Sequence, residues 1–295
     1  MKVSAVINTY NEERNLDRCL KSVADFADEI IVVDMHSSDK TVEYAKKYKA
    51  KIFYFEQTRY VEPARNFALS KAGGDWIFLI DADEELSKSL AEELKRISEE
   101  NKVDFVEIPR KNIIFNKWIE HSRWWPDYLV RFFKKGKVNF SEKIHEPPKT
   151  QGLSLRLEAS EKYSLIHYNI QSVSQYLERI DRYSDIQSEE LIKAGYKFNW
   201  QDLISRPSSE FLSRYFPGEG YKDGLHGLAL GLLQAFSELI VYLKIWQADS
   251  FKEGKIVDFK EQSDKIVKDL YYWQAKTSPN LLKKILLKIK SKFRI

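Results

Sequence analysis

The amino-acid sequence predicts an α/β protein: a mainly parallel sheet covered by helices on both faces, followed by a helical C-terminal region. The first hundred residues alternate short apolar runs with amphipathic stretches, a pattern typical of strands and helices in turn. Two of the apolar runs, at 29–34 and 76–81, are continuous, which indicates strands buried on both faces. After about residue 170 the apolar spacing becomes helical.

The individual elements follow from the spacing of apolar residues. Strands are predicted at 3–7, 29–34, 51–55 and 76–81, and helices at 16–24, 41–48, 63–71 and 88–100. Ser87 or Ser89 should cap the last of these helices. From about 103 to 168 the sequence is β-rich and aromatic, and KKGK at 134–137 predicts a hairpin turn. A further helix at 173–195 should close on Gly195.

Composition narrows the range of functions. With 48 basic and 44 acidic side chains the net charge is +4, so charge gives no reason to expect a nucleic-acid partner. Cys19 is the single cysteine, which excludes a disulfide within the chain and a cage of thiolate metal ligands. The polar segment NTYNEERN begins at residue 8, too early for the apolar part of a signal peptide. We therefore expect a cytoplasmic protein.

Polar clusters follow three of the predicted strands, at the edge where parallel α/β sheets bind ligands. The clusters are NTYNE at 8–12, Asp34 with HSSD, and Asp81, Asp83 and Glu84. Repulsion among the last three acids would be relieved by a cation, and oxygen ligands two residues apart suit Mg²⁺ or Mn²⁺ rather than Zn²⁺. The sequence therefore predicts a cation and a diphosphate at this edge, without the glycine-rich loop of a dinucleotide site.

Structural interpretations of the same acids stay open. An Asp-x-Asp string by itself is more often a strand end or a helix cap than a metal site. Asp34 could equally be a turn residue. Glu84 and Glu85 are expected only to complement the dipole of the following helix.

Four longer segments carry a resemblance to a known family: VINTYNEERNLDRCLKSV, IIVVDMHSSDKTVEYAKKY, ARNFALSKAGGDWIFLIDADEEL and WWPDYLVRFFKKGKVNFSEKIHE. In these motifs the chain resembles the family 2 glycosyltransferases, and among them the bacterial lipopolysaccharide and lipooligosaccharide core β-glucosyltransferases. The resemblance implies a GT-A fold, a Rossmann-like catalytic domain at 1–170 with the nucleotide-sugar bound by residues to about 100 and the acceptor by about 101–170. The helical region at 171–295 would follow it.

The resemblance also implies roles for individual residues. The donor would meet Thr9, Tyr10 and Glu12 at its base and ribose, Asp34 at the nucleotide, Arg65 at the diphosphate, and Asp81 and Asp83 at the metal and donor sugar. His145 stands where related enzymes can place a third metal ligand. Met35 departs from the family pattern, in which Asp or Ser often follows the first Asp, so the base of the donor, expected to be uracil, stays open.

Transfer with inversion requires a carboxylate that takes a proton from the acceptor hydroxyl group. We predict Asp127 in WWPDY as this base, with Glu146 in KIHEPP as the second candidate. The aromatic neighbours of Asp127 could form a platform for a sugar ring. They could equally be core residues, with Asp127 in a turn after Pro126.

Two C-terminal segments suggest contact with a membrane. Residues 225–246 have apolar side chains at helical spacing, but Gln234, Glu238 and Lys244 interrupt them, which argues against a membrane span. The tail LLKKILLKIKSKFRI has six basic residues and no acid, which is typical of a helix lying on anionic lipid or of a solvated basic face. With a glycolipid acceptor, we expect a protein peripheral to the inner face of the cell membrane.

Two other functions stay open at the level of sequence. One is a metal-dependent phosphohydrolase or nucleotidyltransferase that uses the same acids. It is disfavoured because phosphohydrolases with an Asp nucleophile usually place Asp-x-Asp after the first strand, where this chain has NTYN. The other is a membrane-peripheral protein that binds a nucleotide-sugar without turnover.

Overall fold

The structure, a computed structural model, describes residues 1–58, 60–141 and 146–293. The chain forms two compact units. The first comprises Met1–Ile113 with Trp125–Asn169, and the second comprises Ile114–Trp124 with Ile170–Ile295. The division into domains at residue 170 stays a prediction.

The strands lie mostly in the first unit. They are β1 (Val3–Thr9), β2 (Glu29–Asp34), β3 (Lys51–Tyr54), β4 (Trp76–Leu79), β5 (Glu84–Glu85), β6 (Phe105–Ile114), β7 (Lys117–Trp118), β8 (Asp127–Lys134), β9 (Val138–Asn139), β10 (Lys149–Thr150), β11 (Ser154–Arg156) and β12 (Leu165–Ile170). The main sheet has the order β3-β2-β1-β4-β8-β6-β12-β5. Strands β1 to β4 are parallel, β8 runs antiparallel to both β4 and β6, and β9 pairs with β10 alone.

The helices are α1 (Leu16–Val23), α2 (Thr41–Lys47), α3 (Glu62–Ser70), α4 (Lys88–Glu100), α5 (Val173–Lys193), α6 (Asp202–Tyr215), α7 (Leu225–Ala248), α8 (Phe259–Thr277) and α9 (Leu281–Phe293). Short 3₁₀ turns occur at Glu161–Tyr163 and Gly220–Asp223. The predicted Ser87 cap is present, since its side chain accepts a hydrogen bond from the Leu90 N–H at 3.2 Å.

Alternate residues of the parallel strands enter two separate cores, one on each face of the sheet. Ala5 and Phe78 pack on one face with α1, α2 and α4. Val6 and Ile77 pack on the other face with α3. The predicted α/β class, a mainly parallel sheet covered on both faces and followed by a helical C-terminal region, is therefore confirmed.

One local prediction is wrong. The KKGK segment does form a turn, with Gly136 at φ +81° and the Lys137 N–H donating to the Lys134 carbonyl at 3.0 Å. However, the strands on either side do not form a hairpin, because β8 pairs with β4 and β6 while β9 pairs with β10. The turn residues fix the local bend, but the partners of each strand come from elsewhere in the chain.

In the second unit, α7 packs against α5 and α6. Its contacts include a core formed by Tyr176, Ile180 and Leu230 together with Ile114 and Ile119. Among the helices that the structure describes, α7 is the one whose length and mean hydropathy of 1.6 would suffice to cross a membrane, and 28% of that stretch is buried within the protein. Core helices of globular proteins also meet both criteria.

Gly74 offers a test of the close packing between the start of β4 and β1. A Cβ at Gly74 would lie 2.7 Å from Ser4 Oγ and 2.9 Å from the Lys2 carbonyl oxygen, so backbone would have to move. We expect Gly74→Ala to lower the free energy of unfolding by about 1–3 kcal/mol, measured by urea denaturation. Gly254→Ala, where a Cβ would meet nothing within 4 Å, is the matched control and should change little. Equal urea midpoints for the two variants would contradict this account.

Candidate active site

The polar clusters predicted at the strand ends lie at one edge of the sheet. Thr9 and Asp34 end β1 and β2 and are directly paired in the parallel register. Asp81 and Asp83 follow β4, which pairs with β1 on its other side. Arg65 reaches this edge from α3, and its Nη2 atom lies 3.1 Å from Asp81 Oδ1.

Asp81 is held by two guanidinium groups. Besides Arg65, Arg131 of β8 donates from Nη2 to Asp81 Oδ2 and from Nη1 to Oδ1 at 3.4 Å. Burial by itself would raise the pKa of Asp81, but the charges of Arg131 and Arg65 outweigh it and hold this pKa well below its ordinary value. Asp81 therefore acts in this arrangement as the anion that fixes two arginine side chains.

Glu84 is the second acid in this network and is fully buried. Its Oε2 accepts a hydrogen bond from the Asp81 N–H at 2.8 Å, and its Oε1 lies 3.1 Å from Arg131 Nη2 and 3.5 Å from Arg110 Nη1. Burial raises the pKa of Glu84, and the negative charge of Asp81 raises it further. The positive charge of Arg131 lowers this pKa but does not outweigh the other two effects. The expectation that Glu84 only complements a helix dipole is therefore wrong, because its side chain is the buried partner of two arginines.

Asp127 joins the same network from the first position of β8. Its Oδ2 accepts hydrogen bonds from Arg110 Nη2 at 2.6 Å and Nε at 2.9 Å, because Arg110 stands opposite it on β6. Asn112 Nδ2 donates to the same oxygen at 3.3 Å. The predicted base is thus connected through Arg110 to the acids that follow β4.

His167 of β12 lies in this candidate site, although the sequence analysis did not single it out. Asn112 Oδ1 accepts a hydrogen bond from His167 Nδ1 at 2.7 Å, since the amide nitrogen of Asn112 faces Asp127. The other ring nitrogen, Nε2, therefore faces Asp83 and lies 3.3 Å from Asp83 Oδ2. The one available signal was the polar His-x-Asn pattern of HYN in an otherwise apolar strand.

Three buried polar atoms of β1 and α3 at this edge make no hydrogen bond within the described part of the chain: Asn8 Oδ1, Thr9 Oγ1 and Arg65 Nη1. A buried polar group without a partner costs about 1–3 kcal/mol. Two of these atoms can donate, and one belongs to a guanidinium group next to Asp81. A polar ligand at this edge could complete these hydrogen bonds.

The remaining predicted residues have varied surroundings. Tyr10 is exposed, and Glu12 accepts a hydrogen bond from Asn15 Nδ2 at 2.8 Å. Asp34 is fully buried and accepts hydrogen bonds from the Ser37 N–H at 2.9 Å and hydroxyl at 2.5 Å, so it also serves as a turn residue. Their roles toward a nucleotide stay predictions.

The last two predicted site residues, His145 and Glu146, are close to one another in sequence. Glu146 is exposed and accepts a hydrogen bond from the Ser141 hydroxyl group. His145 lies outside the described residues. Among the residues that are described, no group of three or more His, Cys, Asp or Glu side chains is arranged to hold a metal ion.

Comparison with known proteins gives a consistent result. Residues 4–163 match the family model described as glycosyl transferase family 2. An uncharacterized glycosyltransferase of Rickettsia conorii is 28% identical over 274 residues, which cover 89% of this chain and 96% of the relative. The lipopolysaccharide core biosynthesis glycosyltransferase LpsC of Rhizobium meliloti is 26% identical over 265 residues, 88% of this chain and 97% of LpsC.

Among solved structures, TarS 1-349 of S. aureus in complex with UDP matches 88% of this chain and 95% of its own, at 16% identity and a TM-score of 0.44. This overall likeness is too low to support an argument about function.

Arg131 can be tested as the centre of the network. We expect Arg131→Met to lower the free energy of unfolding by about 3–5 kcal/mol, because it leaves Asp81 and Glu84 with too little compensating charge. Arg96→Met is the matched control: Arg96 pairs with Glu93 and Glu100 on the exposed side of α4 and should matter little. The free energy of unfolding of both variants is measured by denaturant titration. Equal losses of stability would refute the central role of Arg131.

Proposed function

Because the chain belongs to glycosyl transferase family 2, we propose that it transfers a sugar from a nucleotide-diphosphate donor, expected to be a UDP-hexose, to a hydroxyl group of a cell-envelope glycan or glycolipid. That the chain is a glycosyltransferase follows from its family; the donor and the acceptor are the proposal. The observation that carries it is the edge where Arg65, Asn8 and Thr9 retain unsatisfied buried polar atoms beside Asp81. The name of LpsC, a lipopolysaccharide core enzyme, supports an envelope acceptor.

Arg65 is the proposed contact for the diphosphate. Its Nη2 atom is bound to Asp81, whereas its Nη1 atom is buried and has no hydrogen-bond partner in the described residues. Asp81 thus holds the guanidinium plane in place, so that the second nitrogen can donate to a phosphate oxygen. Charge that develops on the leaving diphosphate would be stabilised by a group that needs no reorganisation.

A divalent cation, Mg²⁺ or Mn²⁺, is part of the proposal, and the residues present fit it in part. Asp83 would hold the cation, with His167 Nε2, 3.3 Å from Asp83 Oδ2, as a second donor. The diphosphate and water would complete the coordination, as is usual for Mg²⁺. When bound, the cation would neutralise negative charge on the diphosphate. His145 lies outside the described residues, so its role as a metal ligand stays a prediction alongside that of His167.

Asp127 remains the proposed base for a single displacement that inverts the anomeric centre. Its Oδ2 is fixed by Arg110 and Asn112, while its Oδ1 accepts no hydrogen bond from the described residues. A carboxylate held in this way has a defined direction toward a hydroxyl group. The alternative is that Asp127 only pairs with Arg110, and then Glu146 is the second candidate.

We also propose a cytoplasmic protein that is peripheral to the inner face of the cell membrane, where a glycolipid acceptor would lie. The apolar and basic C-terminal tail supports this location. A protein that binds the nucleotide-sugar without turnover, or a phosphohydrolase or nucleotidyltransferase, would be the outcome if no sugar were transferred.

Calorimetric titration with UDP and then GDP, with and without Mn²⁺, tests the donor site. We expect one nucleotide to bind in a metal-dependent way, and Asp83→Ala to weaken this binding at least about tenfold. Asp25→Ala, at an exposed aspartate, is the matched control. Binding of the nucleotide by Asp83→Ala with wild-type affinity would sink the assignment of Asp83.

Transfer of labelled sugar to an envelope glycolipid fraction tests the base. We expect Asp127→Asn to lower kcat about a hundredfold to ten-thousandfold while donor binding stays near wild type, since Asn keeps the shape but cannot take the proton. Glu146→Gln is the parallel variant. If that variant shows the loss instead, Glu146 is the base; near-normal turnover in both contradicts a carboxylate base at either position.

A further inference from the structure

The C-terminal hairpin of α8 and α9 has an apolar stripe that faces away from the protein. Its members are exposed side chains on two adjoining rows of α9: Leu281, Leu282, Ile285, Leu286 and Ile289, with Leu282 78% exposed. At 100° per residue these positions span an arc of about 140°. The stripe is therefore continuous, and it is wide enough to form a surface.

The opposite side of α9 packs on α8. Leu287 and Ser291 are buried, and the Ser291 hydroxyl group donates to the Lys268 carbonyl at 3.1 Å. Lys290 Nζ lies 5.4 Å from the centre of the Tyr271 ring. Because these contacts fix the rotation of α9 about its axis, they also fix the outward direction of the stripe.

Lysine residues border the stripe on both sides. By the same helical spacing, Lys288 lies just outside one edge of the stripe and Lys292 just inside that edge, while Lys283 and Lys290 lie beyond the other edge. Helix α9 contains no acidic residue. A second copy of this chain docked through the same stripe would bring these lysine rows together, so self-association through α9 is disfavoured by charge.

A groove between α8 and α9 adjoins the Lys288 and Lys292 border. Its volume is about 400 Å³. It is lined by Lys268, Lys276, Lys288 and Lys292, together with Tyr272 and small residues, and by no acid. Four lysine side chains and no acid around one groove favour the binding of an anionic phosphate group.

We propose that the α8–α9 hairpin binds the surface of an anionic lipid bilayer, with the α9 stripe among the acyl chains and the four-lysine groove around a phosphate headgroup. An apolar face between two lysine borders matches the depth profile of a bilayer surface, where apolar chains lie beneath negative headgroups. The inference rests on the proposed function only for the choice of the inner membrane face. The surface itself requires neither the donor nor the transfer reaction.

Flotation of the full chain with lipid vesicles tests the proposal. We expect binding to vesicles of phosphatidylcholine with phosphatidylglycerol, little binding to phosphatidylcholine alone, and weaker binding as salt is raised. Leu282→Ser with Leu286→Ser should weaken binding at least about tenfold through lost apolar burial, and Lys288→Glu with Lys292→Glu should do so through charge. Lys255→Glu with Lys260→Glu, the same change of net charge at exposed positions outside the groove, should bind like the wild type.

Three results would overturn the proposal: wild-type binding by the stripe variant, equal loss in the Lys255 and Lys260 control, or binding to neutral vesicles that salt does not weaken. Sedimentation without lipid tests the alternative that a second copy of the chain covers the stripe. If the wild type dimerises and the stripe variant does not, this face binds a second copy and the proposal is overturned. If a variant fails to fold, the dependence of wild-type vesicle binding on lipid charge and on salt still tests the proposal. Loss of nucleotide binding in the donor titration would leave this result unaffected.

Discussion

The arrangement at the sheet edge depends on the guanidinium group of Arg131. It is almost completely buried and contacts both Asp81 and Glu84, so it compensates two carboxylates at the point where β4 ends. Since β8 also supplies the strand beside β4, the same residue that holds the acids in place belongs to the antiparallel extension of the parallel sheet. Removing one partner of such a buried group costs far more than the pair contributes by itself. The site and this part of the sheet therefore depend on one another.

The network divides the acids of DADEE between two tasks. Asp81 and Glu84 are committed to arginines, whereas Asp83 lies beside the imidazole of His167 and keeps 20% of its side chain exposed. Asn112 connects the two ends, because it donates to Asp127 and accepts from His167. A ligand that approached this edge would meet carboxylates with fixed positions, which is the condition for binding and catalysis without reorganisation.

Local patterns predicted much of the first unit, since the periods of strands β1 to β4 and helices α1 to α4 are properties of short segments. The position of Asp81 and Asp83 followed as well, because loops after parallel strands share one edge. The burial of Glu84 and the place of His167 did not follow. Their partners Arg110, Arg131 and Asn112 lie on strands whose antiparallel register is set by contacts distant in sequence, and one residue of slip would turn each side chain to the other face. Contacts distant in sequence also explain why the strands on either side of KKGK do not pair with each other.

For helix α9, the sequence could not predict which face packs against the protein. Its sequence is apolar on more than one side, so composition alone could not decide whether Leu287 or the row of Leu282 and Leu286 faces the protein. The structure buries Leu287 against α8 and leaves the wider row exposed between lysines. In the first unit, charged groups are buried and compensated by neighbours of opposite sign, which stabilises one fixed geometry. On α9 the cationic charge has no acid on its own helix to compensate it. Such a surface gains most free energy by meeting negative charge and apolar material together, and a bilayer surface presents both.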